Sequence, residues 1–161
     1  MYAIIPDIHG DYYRLAYTLR GLGFQATQAE GGRTHWSHPD NVKAIFLGDF
    51  IDGGHSNARV LGDVRAMVEA GQASAIMGNH ELNALLFHTE AEADSAAGRA
   101  WLRKRTDANR RQHKTFLEEF PANQDANFGA PQEERTRDAL NWFMSLPLFL
   151  DLGPFRVVHA Q

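Results

Sequence analysis

The sequence has no cysteine, which excludes disulfides and thiolate chemistry. It has no apolar run near the roughly 20 residues that a helix crossing a bilayer needs. It has no surplus of positive charge. Sixteen Lys and Arg stand against 20 Asp and Glu, for a net charge of −4. The pI near 6.0 therefore advertises no surface for nucleic acid or acidic membranes. The first residues, MYAIIPD, lack the basic start and long apolar core of a secretory signal. These absences point to a soluble, cytoplasmic chain with no membrane partner and no strong nucleic-acid signal.

What is present suits one globular domain. Hydrophobic residues make up 43% and charged residues 22% of 161, enough for a core and a solvated surface. No internal repeat or linker interrupts residues 1–161, so a single domain is expected. Tyr2 to Ile5, Val42 to Leu47 and Ala73 to Met77 read as short buried strands. Tyr12 to Leu22 and Asn57 to Ala70 carry apolar residues at helical period and stop at Gly23 and Gly71. Residues 25–41 read as a loop or irregular hairpin. Glu81 to His88 reads as a helix, and 89–108 as a weakly patterned excursion. Arg110 to Phe120 and Glu134 to Leu146 read as helices around the loop PANQDANFGAP. Leu148 to Leu152 and Phe155 to His159 read as strands joined at Gly153-Pro154. Strands alternating with helices predict an α/β fold, whose ligands gather beyond the carboxyl ends of the strands.

The polar residues collect at those ends. The first strand runs into DIHG, with Asp7 and His9. The second runs into GDFIDGG, with Asp49 and Asp52. The third runs into GNHE, with Asn79, His80 and Glu81. The last runs into VVHAQ, with His159. Each motif by itself is also an ordinary capping turn. Together they deliver three Asp, three His and an Asn to one sheet edge, an oxygen and imidazole set that suits Mn, Fe, Zn or Ni. Two metals about 3.5–4 Å apart clamp a phosphate ester for hydrolysis, which needs one bridging carboxylate. An imidazole nearby can give its proton to the leaving oxygen.

DIHG, GDFIDGG, GNHE and VVHA, in that order, resemble the calcineurin-like metallophosphoesterases. The likeness is strongest to the phosphoprotein-phosphatase type, which includes bacterial serine/threonine phosphatases and diadenosine-tetraphosphatase-like enzymes. GNHE leans away from the nuclease-type branch. NRRQHKTFL and NWFMSLPLFLDLGPFRVVHA also look like the bacterial members. The resemblance implies a β-sandwich flanked by helices, with two divalent metals, Mn foremost, at the strand ends. It implies that Asp7 and His9 bind the first metal, that Asp49 bridges, and that Asn79 and His159 bind the second. It implies His80 as the general acid or the hydrogen-bond donor on the phosphate side, Asp52 as the group that orients it and holds its proton, and Glu81 behind the ligands. The implied activity is hydrolysis of phosphomonoesters, phosphoprotein or nucleotide-derived, by metal-bound hydroxide.

Two departures stand out. The family's second motif usually reads GD-x-x-D-R-G. Here Gly53 takes the Arg position and His55 the Pro after the Gly, which removes a bidentate clamp on phosphate. The family also places a metal-binding His in a further Gly-His motif. The eight histidines stand at 9, 35, 38, 55, 80, 88, 113 and 159, so none lies downstream of His159. The chain therefore looks truncated at its C-terminus, with an incomplete sandwich, a weakened second metal site and open sheet edges that invite self-association. A second reading follows: a truncated or degenerate domain that binds metal or phosphate with little turnover. A nucleic-acid phosphodiesterase is a weaker third reading.

Arg110, Arg111 and His55 are candidate contacts to a substrate phosphate, and each also reads as solvated surface. His35 and His38 read as loop residues around a packed Trp36. His88 and His113 read as surface or capping residues. Trp101 and Trp142 read as packing anchors, since no basic groove accompanies them.

Overall fold

The computed structural model of the chain describes residues 1–28, 34–91, 101–121 and 131–159. The elements run β1 (Tyr2–Ile5), α1 (Tyr12–Gly21), β2 (Gln25–Gln28), β3 (Thr34–Ser37), β4 (Lys43–Phe46), α2 (Asn57–Glu69), β5 (Ala73–Ala75) and α3 (Asn79–His88). They continue as α4 (Asp107–Gln112), α5 (Lys114–Glu119), α6 (Pro131–Ser145), β6 (Phe149–Asp151) and β7 (Arg156–Val158).

A three-stranded parallel sheet, order β1-β4-β5, lies at the centre. Tyr2 pairs with Lys43 and Ile5 with Phe46, and Ala44 pairs with Ala73. Parallel strands need long connections, and α1 and α2 lie in the two crossovers. Ile5, Ala44, Phe46, Ala73 and Ala75 face the helices and pack with Leu15, Leu19, Val60, Val64, Phe116 and Phe143. On the opposite face Ile45 and Ile76 pack with Val157, Leu150 and Leu152 of the antiparallel β6–β7 hairpin. The result is a mixed α/β fold with helices on one face of the sheet and a hairpin on the other. Because parallel strands all point one way, the motif turns after β1, β4 and β5 share one edge.

Within the region 25–41, Gln25–Gln28 and Thr34–Ser37 pair antiparallel as β2 and β3. Trp36 anchors the pair: the ring is buried and Nε1 donates to Asp63 Oδ2 of α2 at 2.7 Å. Tyr12 donates to the same oxygen at 3.2 Å. Burial pushes the Asp63 carboxyl above its usual range, and these donors oppose that. His35 lies in the β2–β3 ladder, and His38 Nδ1 accepts Asp40 N–H at 3.1 Å. Trp142 packs on Phe50, and Trp101 carries the Arg105 guanidinium. Part of the excursion (92–100) and most of the loop before α6 (122–130) lie outside the described residues.

The helix predicted over Arg110 to Phe120 is instead two short helices. The break falls at His113 (φ −98°, ψ 10°). Its ring turns into the interior.

The second of these helices, α5, completes α2. Ser56, the N-cap of α2, makes no side-chain cap bond. Glu119 of α5 takes its place. Its Oε1 accepts Asn57 N–H at 2.7 Å and Asn57 Nδ2 at 2.8 Å, and its Oε2 accepts Ala58 N–H at 2.9 Å. A carboxylate there satisfies unpaired helix donors and opposes the positive end of the helix dipole. Glu119→Ala is expected to lower stability by about 2 kcal/mol, read from urea unfolding. Wild-type stability in that variant would show that Glu119 is not the cap.

Candidate metal centre

Backbone geometry forms the site. His9 (φ 51°), Asp49 (φ 52°) and Asp52 (φ 69°) all hold left-handed backbone, a conformation that side chains rarely adopt and that collects at functional sites. Main-chain bonds lace the first two motif turns together. Ile8 and His9 N–H donate to Asp49 O at 3.0 and 2.8 Å, Gly10 N–H to Phe50 O at 2.7 Å, and Gly54 N–H to His9 O at 2.7 Å. The third turn must approach Asp49 closely, and Gly78 allows it: a Cβ there would collide with the Asp49 side chain and main chain.

Glu81 joins the second turn to the third. It is fully buried. Its Oε2 accepts Asp49 N–H at 2.8 Å and Gly78 N–H at 3.0 Å, and its Oε1 accepts Phe50 N–H at 2.8 Å. Burial pushes its carboxyl up to about 7 while these three donors pull the other way. Both oxygens are engaged by main chain, so Glu81 is a brace rather than a ligand.

Asp49, 3% exposed, is the hub. His9 Nε2 and His80 Nε2 each lie 3.9 Å from its Oδ2, and His159 Nε2 lies 3.6 Å from its Oδ1. Asp7 Oδ2 stands 3.8 Å from His9 Nε2. Two groups of donor atoms result, His9–Asp49–His80 and Asp7–Asp49–His159, each gathered within 4.8 Å. Asn79 Oδ1 lies 2.9 Å from His159 Nε2. The imidazoles are oriented by their other nitrogen. His9 Nδ1 faces Ile51 O at 3.4 Å, and His159 Nδ1 faces Leu47 O at 2.7 Å. A carbonyl only accepts, so each Nδ1 donates and a neutral ring presents an Nε2 lone pair to the centre. Lone pairs of the His9 and His159 Nε2, Asn79 Oδ1 and the Asp49 carboxylate thus converge, and Asp49 Oδ1 also accepts the His80 main-chain N–H at 3.0 Å. A divalent cation fits that set, and imidazoles fixed by a carbonyl are the usual outer support of such a site.

Beside this centre, His80 Nδ1 lies 2.8 Å from Asp52 Oδ2. The bond to Asp52 raises the His80 pKa above its ordinary value, against the effect of burial. The other Asp52 oxygen is met by His113 Nδ1 at 2.9 Å. Burial would raise the Asp52 carboxyl, but the hydrogen bonds from His113 and His80 outweigh it and hold it below the usual range.

The structure brings Asp7, His9, Asp49, Asp52, Asn79, His80, Glu81 and His159 into one cluster. It does not bring His55, Arg110 or Arg111 there. His55 is exposed and faces Glu118 at 3.3 Å. Arg110 Nε donates to Arg105 O at 3.3 Å. None of these three lines the cleft of about 480 Å³ over the site, whereas Arg14 of α1 and Gln112 do. A larger cleft of about 670 Å³ between α2 and α6 takes in none of the four motifs.

His113 is fully buried, not a surface or capping side chain. The signal was in the sequence: 113, 116, 117 and 120 form one helical stripe with Phe116, Leu117 and Phe120. His88 is largely buried too, against Phe87, His113 and Phe116. Burial above all, with the Arg105 charge adding to it, pushes its pKa down to about 3.

The family model for calcineurin-like phosphoesterases matches residues 2–149. The chain belongs to this family, whose members hydrolyse phosphoesters with metal. His159 lies just beyond the matched span. Comparison with curated proteins gave no match.

The depressed Asp52 carboxyl binds protons more readily in the unfolded chain. Its contribution to stability is therefore present above the ordinary value of 3.8 and is lost as pH falls through the lower folded value. Asp52→Asn leaves one imidazole N–H facing an amide donor. In metal-free protein the variant is expected to be about 2 kcal/mol less stable at neutral pH, with the gap narrowing in acid. Urea unfolding across pH reads this, and a pH-independent gap would refute the ionised pairing.

Proposed function

We propose that the chain is a metal-dependent phosphatase of the phosphoprotein-phosphatase type, acting on phosphomonoesters carried by proteins or nucleotide derivatives. The observation that carries this reading is Asp49, one buried carboxylate shared by two groups of metal-type donors, with the His80–Asp52 pair beside it. Asp7, His9 and Asp49 would hold one cation, and Asp49, Asn79 and His159 the other. Divalent metal, Mn²⁺ foremost and Fe, Zn or Ni in its place, supplies Lewis acidity that activates water and offsets phosphoryl charge.

The chain's own groups do the rest. His80, with Nδ1–H held by Asp52, presents Nε2 toward Asp49 and the cleft. The bond to Asp52 raises the pKa, which favours a proton on that atom for the leaving oxygen. Asp52, kept ionised, favours the charged imidazole. Gly53 offers no guanidinium to the phosphate. Arg14 is the arginine that lines the cleft, and its Nη1 reaches Asp7 O at 3.5 Å. It is suited to bind two phosphoryl oxygens. The lack of cysteine suits the reducing cytoplasm. The second reading, a domain that binds metal or phosphate with little turnover, is favoured by Gly53.

The test is hydrolysis of p-nitrophenyl phosphate and bis-p-nitrophenyl phosphate, with and without Mn²⁺. Mn²⁺-dependent turnover of the monoester is expected. Asp49→Asn should lower it at least about 100-fold. Arg14→Ala should raise KM about tenfold while the protein stays folded. A folded wild-type chain that turns over neither ester would overturn the enzyme reading and leave the binding domain. Preference for the diester would overturn the substrate class.

A further inference from the structure

Helix α5 is fitted to the second motif turn at four points. Thr115 Oγ1 accepts Gly53 N–H at 3.1 Å, Glu118 faces His55 at 3.3 Å, and Glu119 caps α2. The fourth is His113, at the break before α5, and it alone reaches a group that touches His80. Asp52 thus stands between two imidazoles. His80 meets Oδ2 at 2.8 Å, and His113 spans both oxygens at 2.9 and 3.2 Å.

An ionised carboxylate only accepts, so both rings donate through Nδ1. The His113 ring stacks on Phe116 (4.8 Å, 26°) and lies against Phe87 and His88. Its Nε2 is buried without a partner among the described residues. A bare lone pair is the less costly group to leave unpaired there than a charged N–H. The ring is therefore fixed as the Nδ1–H tautomer by its surroundings on every side.

We infer that His113 is a positioning residue for the proposed phosphatase reaction: its Nδ1–H locks the Asp52 carboxylate so that Oδ2 stays on His80 Nδ1. This rests on the phosphatase reading above. Asp52 sits on left-handed backbone at φ 69° and has little main-chain support for its side chain. Two donors on two oxygens fix the carboxylate plane. One donor alone lets it turn. An Asp52 held by His113 has no free lone pair in the plane facing His113, and it remains the anion that His80 needs. The Gly53 N–H bond to Thr115 belongs to the same grip, so α5 holds the turn where the chain carries Gly.

Two variants and two substrates test this. His113→Phe keeps the ring stack but removes the donor. His113→Asn places an amide N–H near the Nδ1 position. Phenolate needs a proton to leave, and p-nitrophenolate leaves without one. His113→Phe should lower kcat about tenfold on phenyl phosphate and much less on p-nitrophenyl phosphate, with KM nearly unchanged. His113→Asn should recover most of the loss. Equal losses on both substrates, no loss, or an Asn variant no better than Phe would overturn the assignment. A two-bond ¹H–¹⁵N spectrum of wild-type protein reads the tautomer independently of turnover. Protonated Nδ1 on His113 supports the bond, and protonated Nε2 overturns it even if the hydrolase reading stands. If wild-type protein hydrolyses neither ester, the phosphatase reading fails and so does a role in it, while the spectrum still decides the His113–Asp52 contact.

Discussion

Glu81 accepts three main-chain N–H groups from two turns, and that one carboxylate joins the turn that carries Asp49 to the turn that carries Asn79 and His80. Asp49 and Phe50 donate from the turn after β4, and Gly78 donates from the turn after β5. The bonds fix the two turns against each other and hold Asp49 in left-handed backbone. The first turn is then laced onto Asp49 and Phe50 through their carbonyls. Polar backbone that would otherwise be buried and unpaired is satisfied inside the turn cluster. The candidate ligands are consequently held by the fold's own hydrogen bonds, the kind of preorganisation a reactive site requires.

A second regularity follows from the imidazoles. His9, His80 and His159 each give Nδ1 to a fixed acceptor and direct Nε2 toward Asp49. The acceptors differ in kind. Two are main-chain carbonyls, which take the Nδ1 proton and leave Nε2 for ligation. The third is the Asp52 carboxylate, which favours the charged ring and suits proton donation. One constellation thus divides its histidines into two kinds by the partner of Nδ1. The chemistry of the proposed roles follows from those partners.

Much of this was legible in the sequence because parallel strands order their turns. Once β1, β4 and β5 were read as buried strands, DIHG, GDFIDGG and GNHE had to share an edge, and Asp7, His9, Asp49, Asp52, Asn79 and His80 came with them. The substrate-facing residues were not legible in the same way. Arg14 follows an N-cap by three residues, and its α1 position says nothing of the cleft until the turn at Asp11 is folded. Arg110 and Arg111 drew attention as a basic pair, yet the stripe of 113, 116, 117 and 120 turns the helix so that His113 goes inward. His113 was missed because a histidine inside a charged stretch reads as surface. Its apolar neighbours at helical spacing carried the opposite signal. The break of the helix at His113 had no local mark, since neither Gly nor Pro stands there; at that point the ring bonds Asp52.

The central claim is that Asp49 is the ligand common to two cations. Calorimetric titration of metal-free protein with Mn²⁺, in wild type, Asp49→Asn and Asp63→Asn, tests it most directly. Wild-type protein should bind two ions, the second more weakly. Asp49→Asn should lose both, and Asp63→Asn, altered far from the cluster at the Trp36 contact, should keep them. An Asp49→Asn chain that binds Mn²⁺ with wild-type stoichiometry and affinity would contradict the shared-carboxylate centre outright.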